Sequence, residues 1–221
     1  MRVLVIGASR GIGREFVRQY LDDRAQVTAT ARRPADVAAL EALGATAFAL
    51  DLLDAASASA LASRVDGAVF DVAIVNAGVY GPQTAGLDTP SEAEFDTVMR
   101  TNVLGAMRVI PQLGDALARG ARLAVLSSRM GSLGQRSGSS GWLYRASKAA
   151  LNSVLKDAAL QLAGRAVCVA FHPGWVRTDM GGAQADLAPA QSVADMRRTL
   201  AALTPAQTGS FLNHDGTVIP W

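Results

Sequence analysis

Cysteine, histidine and lysine are scarce in this sequence, and each scarcity excludes a class of function. A single cysteine, Cys168, excludes a disulfide within the chain and any cluster of thiolate metal ligands. The two histidines, His172 and His214, are isolated, and we expect no metal site. Only two of the 21 basic residues are lysines, which makes each of them conspicuous. The small surplus of arginine is scattered along the chain and forms no basic run, so we expect no nucleic-acid partner.

Long hydrophobic runs are absent as well. No segment approaches the roughly 18 uninterrupted apolar residues that a membrane-spanning helix needs. The apolar run at residues 3–6 is too short for a signal peptide. The lone cysteine lies in an apolar segment, where we expect it to be buried, and it fits a reducing compartment. These absences favour a cytoplasmic protein with no membrane partner.

Apolar residues are abundant and make up 50% of the 221 residues, whereas charged residues make up 18%. Such a chain can bury a large core, and its length suits one α/β domain, which we expect to span residues 1–221. No repeat or linker divides it. The stretch rich in Gly and Ser at residues 131–141 lies between a predicted strand and a predicted helix, so we interpret it as an active-site loop.

Short apolar segments rich in β-branched residues alternate with helix-length segments along most of the chain. Continuous apolar runs are typical of parallel strands that helices cover on both faces. The alternation therefore predicts a doubly wound, Rossmann-type parallel sheet of about seven strands, with ligands at the carboxyl ends of the strands. Strands are predicted at residues 3–6, 26–31, 46–50, 69–75, 123–126 and 167–171, and helices at 11–21, 34–43, 55–64, 91–118 and 143–162. A capping box of Ser91 and Glu94 marks the start of the fourth of these helices.

A glycine-rich turn joins the first predicted strand to the first predicted helix. Glycines there permit a tight turn, a close approach of a pyrophosphate, and close packing of helix on strand. Amide groups at the N-terminus of the helix can then bind the phosphates. The context predicts a dinucleotide site formed by Gly7, Ser9, Arg10, Gly11, Ile12 and Gly13.

The charge after the second predicted strand indicates which dinucleotide binds. A carboxylate at this place would accept from the ribose 2′-hydroxyl of NAD, but it would repel a 2′-phosphate. Here the strand is followed by Arg32, with no carboxylate, and Arg10 adds a second cation. We therefore predict NADP(H) as the cofactor, with NAD(H) less favoured.

Six separated motifs follow one another along the chain. They are the Gly7-x-x-x-Gly11-x-Gly13 spacing, Asn76-Ala77-Gly78, Asn102, Ser127-Ser128, Tyr144 to Lys148, and Pro173-Gly174 followed by Thr178. In this order they give the chain a resemblance to the short-chain dehydrogenase/reductase family. The stretches 128–132, 144–152 and 172–180 are similar to the C-factor branch, which is similar to sniffer-type carbonyl reductases. The sequence departs from the family in two places: Ile6 stands where a threonine often precedes the first glycine, and sixteen residues separate Ser128 from Tyr144 where thirteen are usual.

Tyr144 and Lys148 lie four residues apart on a predicted helix, so the phenol and the ammonium group share one face. A neighbouring cation favours the phenolate, which should lower the pKa of Tyr144 toward a value useful for proton exchange. Ser128 ends a predicted strand and can donate to the substrate oxygen, although Ser127 and Ser132 are alternatives. By the resemblance, Asn102 holds a water molecule linked to Lys148, which also binds the nicotinamide ribose.

The resemblance also implies further cofactor contacts. Asp51 would bind the adenine amino group beside Leu52, although it could instead cap the helix near Ala55. The Val176 backbone and the Thr178 hydroxyl would bind the nicotinamide carboxamide, and residues 181–189 would form a lid. The expected cofactor contacts also include Asn76, Ala77, Gly78, Pro173 and Gly174. Tyr80, Met130, Trp142, Trp175 and Met180 are candidate pocket walls.

These features favour an NADPH-dependent reductase that converts a ketone or aldehyde to an alcohol, or the reverse, with Tyr144 as acid and base. The alternative is a dinucleotide-binding signalling or redox-sensing protein with little turnover. A sugar epimerase is disfavoured because few residues follow Thr178. Apolar loops hint at a hydrophobic small-molecule substrate, and the resemblance implies a homodimer formed by the helices predicted at 91–118 and 143–162.

Overall fold

Seven parallel strands form one sheet in the computed structural model, which describes residues 1–221. They are β1 (Arg2–Ile6), β2 (Gln26–Ala31), β3 (Thr46–Ala49), β4 (Phe70–Val75), β5 (Leu117–Leu126), β6 (Ala166–His172) and β7 (Ser210–Asn213). Their order across the sheet is β3-β2-β1-β4-β5-β6-β7. The winding reverses between β1 and β4, and such a reversal opens a crevice at the carboxyl edge of the sheet. The predicted doubly wound parallel sheet is confirmed.

Helices cover both faces of this sheet. Leu4 and Ile6 of β1 belong to one buried cluster, whereas Val3 and Val5 belong to the other, because alternate side chains of a strand point to opposite faces. Both sets are apolar, which explains the continuous hydrophobic runs. The α-helices are α1 (Gly11–Asp22), α2 (Pro34–Glu41), α3 (Ala55–Ser59), α4 (Leu61–Arg64), α5 (Glu92–Met99), α6 (Gly105–Val109), α7 (Trp142–Gln161) and α8 (Pro189–Ala202). None is both long and apolar enough to cross a membrane.

The start of α5 is confirmed, but the long helix predicted at residues 91–118 is wrong in its second half. The N–H of Ser91 donates to the Glu94 carboxylate and the N–H of Glu94 donates to the Ser91 hydroxyl, which is the predicted capping box. After α5 comes a π-helical turn (Arg100–Leu104), then α6, then a 3₁₀ turn (Ile110–Leu113). Pro111 has no N–H with which to continue an α-helix. The chain then enters β5 at Leu117, six residues before the predicted start of that strand.

Other boundaries also differ from the prediction. The helix predicted at residues 55–64 is two short helices, α3 and α4. The sequence reasoning missed α8, although its buried Val193, Met196 and Leu200 recur at helical spacing. It also placed only six strands, because β7 is four residues long and gives a weak signal.

Candidate active site

A cavity of about 770 Å³ opens at the carboxyl edge of the sheet. Its walls come from loops that follow β1, β4, β5 and β6 and from the first turn of α7. Ser128 and Tyr144 line it, as do Ile12 of the glycine turn and Thr178 of the loop after β6. The structure therefore places two of the predicted catalytic residues, one residue of the glycine turn and the predicted nicotinamide end of the dinucleotide site around one space.

The glycine turn has the geometry that phosphate binding requires. Gly7 and Gly11 have positive φ, at +86° and +54°. A Cβ on Gly13 would overlap the carbonyl oxygen of Gly7, so only glycine lets α1 begin this close to β1. No side chain caps α1, its first turn has no acidic residue, and the N–H groups of Ile12 and Gly13 have no acceptor within the protein. This positive helix end can bind an anion.

Two polar side chains hold the glycine turn in place. Asn76, which follows β4, donates from Nδ2 to the carbonyl oxygen of Gly7 at 2.6 Å. The N–H of Gly7 donates to the hydroxyl of Thr30 on β2 at 3.1 Å. The Thr30 hydroxyl thus makes a hydrogen bond to the turn, which the apolar side chain of Ile6 cannot make. A Cβ on Gly7 would collide with Ala77, so only glycine lets the turn lie this close to the segment that follows β4.

The two arginines assigned to the 2′-phosphate have different surroundings. Arg32 follows β2 directly, is exposed, and has no ion pair, whereas the neighbouring Arg33 pairs with Asp36 at 2.8 Å. Arg10 forms an ion pair with Asp179, and both side chains are largely exposed. An exposed pair contributes only about 0–1 kcal/mol, so Arg10 can exchange this partner at little cost. Arg32 is therefore the better placed of the two for a phosphate.

Asp51 does not cap the helix near Ala55, so that alternative is wrong. Asp54 is the cap and accepts from the N–H of Ala56 at 3.0 Å. Asp51 accepts from the N–H of Leu53 through Oδ1 at 2.9 Å. Leu52 is buried and packs close to Gly105 of α6. The adenine contact of Asp51 stays a prediction.

Tyr144 lines the cavity, and Lys148 and Asn102 are buried behind its lining. Lys148 Nζ lies 5.7 Å from the centroid of the Tyr144 ring and donates to the carbonyl oxygen of Leu126 at 2.7 Å. Asn102 lies in the π-helical turn, a widened turn that often occurs at functional sites. Its side chain exchanges two hydrogen bonds with the backbone of Val79, each 2.8 Å long. A Cβ on Gly78 would lie 3.3 Å from both Asn102 Oδ1 and Lys148 Nζ, so this glycine lies between the two polar groups.

Burial shifts the pKa values of the tyrosine and the lysine in opposite directions. Burial raises the pKa of Tyr144 to about 12, while the Ser128 hydroxyl acts weakly the other way and Tyr80 adds to the rise. Burial lowers the pKa of Lys148 to about 8. The predicted lowering of the Tyr144 pKa is therefore wrong for this arrangement, because loss of solvation is the largest cause of the shift and favours the neutral phenol. Tyr144 is a neutral phenol at neutral pH, and so a proton donor.

Ser128 is the serine whose position suits catalysis. Ser127 donates from its hydroxyl to Asn152 at 2.6 Å, and Ser132 donates to the carbonyl oxygen of Pro220 at 2.5 Å. Both hydroxyls are thus committed to packing contacts. The Ser128 hydroxyl accepts from the N–H of Met130 at 3.2 Å, and its hydrogen bond with the Tyr144 phenol acts to lower the pKa of that phenol, so the two hydroxyls face the same part of the cavity.

The loop after β6 forms the opposite wall. Gly174 has φ +85°, and a Cβ there would overlap Leu187. Val176 pairs with Leu187 in an isolated parallel bridge, but the N–H of Val176 has no acceptor within the protein. The hydroxyl of Thr178 donates to the carbonyl oxygen of Val176 at 3.3 Å. The free N–H of Val176 can donate to an amide carbonyl, and the Thr178 hydroxyl, which also accepts from the N–H of Gly181 at 3.2 Å, keeps one lone pair that can accept from an amide N–H. The bridge fixes the segment predicted as a lid.

Four of the five candidate pocket walls line the cavity, and one does not. Tyr80 stacks on Tyr144 with ring centroids 4.6 Å apart. The others that line it are Met130, Trp175 and Met180. Trp142 instead donates from its indole N–H to the carbonyl oxygen of Asp88 outside the cavity. Lining residues that were not predicted include Arg129, Arg145 and His172, although each adjoins a predicted site residue in the chain.

Comparison with known proteins identifies the family. The family model described as short chain dehydrogenase matches residues 1–187. The chain belongs to the short-chain dehydrogenase family. The C-signal protein of Myxococcus xanthus is 39% identical over 165 residues, which cover 73% of this chain and 99% of that protein. The 1-hydroxy-2-glutathionyl-2-methyl-3-butene dehydrogenase of Rhodococcus sp. (strain AD45) is 34% identical over 230 residues and covers 99% of both chains.

Solved structures support the same assignment. A short-chain dehydrogenase/reductase from Burkholderia multivorans with bound NADP has a TM-score of 0.90 and 32% identity, covering 100% of this chain and 99% of that one. The Sniffer carbonyl reductase of D. melanogaster has a TM-score of 0.88 and 28% identity, with the same coverage. The resemblance to the C-factor and sniffer-type branch of this dehydrogenase family is confirmed.

Proposed function

We propose that this protein reduces a ketone or aldehyde to an alcohol with NADPH. The observation that carries the proposal is the buried, neutral phenol of Tyr144 beside Lys148 and Ser128, in the same cavity as the glycine turn. NADPH supplies the hydride that the carbonyl carbon accepts. Tyr144 donates its proton to the carbonyl oxygen, so one hydride and one proton give the alcohol, and the phenolate recovers a proton from solvent.

The other residues support this proton transfer. The Ser128 hydroxyl donates to the carbonyl oxygen as negative charge develops there. The Lys148 ammonium, 5.7 Å from the Tyr144 ring, stabilises the phenolate that forms. We assign Asn102, which bonds to the backbone of Val79, to a solvent path toward Lys148.

The cofactor is NADP(H) in this proposal, and the residues present fit it. Pyrophosphate would bind the uncapped N-terminus of α1, and Arg32 would bind the 2′-phosphate. The carboxamide of the nicotinamide would bind the free N–H of Val176 and the Thr178 hydroxyl. Bound NADP in the Burkholderia structure supports this assignment. We further propose that the protein acts in the cytoplasm, on a small molecule, as a homodimer.

Replacing the proposed acid tests the mechanism directly. Tyr144→Phe removes the phenolic proton and should lower kcat for NADPH-dependent carbonyl reduction by about 10²–10⁴-fold. Oxidation of NADPH against a panel of aldehydes and ketones measures this. Tyr20→Phe is the matched control, because Tyr20 is also buried but stacks on Phe16 in α1. Full activity in Tyr144→Phe would sink the mechanism.

A second function, dinucleotide-dependent signalling, has one observation in its favour. The relative with 39% identity is named C-signal. A sensor would bind NADPH but reduce none of the carbonyl compounds, and Tyr144→Phe would bind NADPH as the parent does. Measurable turnover that depends on Tyr144 would favour the reductase instead.

A further inference from the structure

The charged side chains that line the cavity beside Tyr144 are all positive. Its lining includes two arginines, Arg129 and Arg145, and no aspartate or glutamate. Neither arginine forms an ion pair with a carboxylate anywhere in the protein. Two cations and no carboxylate in the lining of one cavity leave a net positive potential for a ligand.

Both arginines lie next to the proposed chemistry. Arg129 follows Ser128 and begins a 3₁₀ turn, and Arg145 follows Tyr144 in the first turn of α7. Arg145 is half-buried and is held from one side, since its Nε donates to the carbonyl oxygen of Ser140 at 2.8 Å. That single bond leaves the terminal nitrogens of its guanidinium group available.

The charge of Arg129 also reaches into the cavity. His172, another lining residue, has its pKa lowered to about 4, first by burial and next by repulsion from Arg129. His172 is therefore neutral at physiological pH. Its Nδ1 is buried without a hydrogen-bond partner. The positive charge in this part of the cavity thus belongs to the two arginines alone.

The cofactor phosphates have their own cations elsewhere. The glycine turn packs against Thr178, because a Cβ on Gly11 would lie 3.2 Å from that side chain. Arg145 instead adjoins the segment where the N–H of Gly141 donates to the carbonyl oxygen of Thr84. Neither Arg10 nor Arg32 lines this cavity, so Arg129 and Arg145 are the cations in its lining that a substrate can meet.

We propose that Arg129 and Arg145 bind the carboxylate of a substrate whose carbonyl group is reduced at Tyr144. The inference rests on the proposed reductase function and adds its substrate class: an aldehyde or ketone that carries a carboxylate. The planar guanidinium group matches a carboxylate with two parallel hydrogen bonds, which also fixes the orientation of the substrate. This replaces the hydrophobic substrate that the apolar loops suggested.

A matched substrate pair tests the proposal. The probes are 4-carboxybenzaldehyde and its methyl ester, methyl 4-formylbenzoate, which share an aldehyde and an aromatic ring but differ in charge. For the parent, kcat/KM with NADPH should be about tenfold or more higher for the acid. Arg129→Gln/Arg145→Gln should lose that preference, so that the ratio of kcat/KM for the acid to kcat/KM for the ester falls about tenfold. Arg136→Gln is the control, because Arg136 is exposed in the same loop but does not line the cavity.

Calorimetric titration of 4-carboxybenzaldehyde into the protein with NADP⁺ present gives a readout that needs no turnover. Binding to the parent that weakens about tenfold in the double variant, but not in Arg136→Gln, supports the proposal. Equal kcat/KM for acid and ester would overturn it and leave the reductase function intact, because the ester is still reduced. If neither aldehyde is reduced the reductase function fails, and the titration alone then decides whether the arginines bind a carboxylate. Absence of binding, or binding unchanged in the double variant, would overturn the proposal.

Discussion

Single residues in this site depend on burial more than on neighbouring charge. The spacing of Tyr144 and Lys148 could be predicted from the sequence, because residues four apart share a helix face. The direction of the Tyr144 pKa could not, since it depends on how completely the phenol is shielded and on the Tyr80 ring stacked against it. The Tyr80 ring comes from a loop that lies 64 residues before Tyr144 in the chain, so its contact with the phenol depends on the tertiary fold.

The pKa of Lys148 leads to a prediction about stability. Lys148 loses its proton near pH 8 in the folded protein, against 10.5 for the ordinary side chain. Between these values the unfolded chain binds more protons, so the contribution of Lys148 to stability rises with pH. The free energy of unfolding of the parent, minus that of Lys148→Met, should rise by about 1 kcal/mol from pH 7 to pH 9.

Urea unfolding at the two pH values measures this difference. Subtracting the variant removes the titration of all other groups, and Tyr144 stays protonated throughout because its pKa is near 12. A difference that does not change with pH would show that Lys148 is solvated in the folded protein.

Arg32 carries the prediction about cofactor preference. Removing one charge-assisted contact to a phosphate costs about 1.5–3 kcal/mol, so Arg32→Ala should weaken NADPH binding by about tenfold or more and leave NADH binding nearly unchanged. Equilibrium fluorescence titration with both cofactors measures this. Arg33→Ala is the control, because Arg33 is the next residue but is paired with Asp36. An unchanged NADPH preference in Arg32→Ala would count against the assignment.

At the scale of elements, the contact of α1 with β1 controls the phosphate site. Gly13→Ala would place a methyl group on the carbonyl oxygen of Gly7 and on Asn76 Nδ2. The helix would have to move away from the strand, at a cost of about 1–3 kcal/mol. Both the melting temperature and the affinity for NADPH should therefore fall.

The control for this prediction is Gly86→Ala. Gly86 has open space around its Cβ position and needs no positive φ, so alanine there should be neutral. Thermal unfolding and NADPH titration of both variants give the comparison. If Gly13→Ala loses stability but binds NADPH as tightly as the parent, the contact of α1 with β1 does not control the phosphate site.

Elements with strong local signals could be predicted from the sequence, and those fixed by tertiary contacts could not. The capping box at Ser91 and Glu94 and the apolar run of β1 are local, and both are confirmed. The π-helical turn that contains Asn102 has no local signal, because its widening is held by contacts of Asn102 with Val79 and Ser147. The pairing of β5 with Phe70 at Leu117 is likewise a contact over a long sequence distance, and it was missed.

At the scale of the whole molecule, the face formed by α6 and α7 is the surface for which we predict self-association. A groove of about 680 Å³ lies between these helices. Its lining combines apolar residues, among them Met107, Ile110 and Val154, with the charged residues Asp115, Asp157 and Arg165. Met107 is 51% exposed in the single chain. Stable interfaces between proteins bury such apolar surface at their centre.

Association through this face should give a particle of twice 22.9 kDa in sedimentation equilibrium. Met107→Glu places a charge in the groove, and two copies would then bring like charges into a desolvated contact, so the dimer should weaken by about tenfold or more. Leu87→Glu is the matched control, because Leu87 is also an exposed apolar residue but lies outside the groove. A dimer that persists in Met107→Glu would place the interface on another face, and a parent that sediments as a monomer would exclude the homodimer. Helix α7 also carries Tyr144 and Lys148 in its first two turns. If Met107→Glu dissociates the dimer, kcat should therefore fall together with the sedimenting mass.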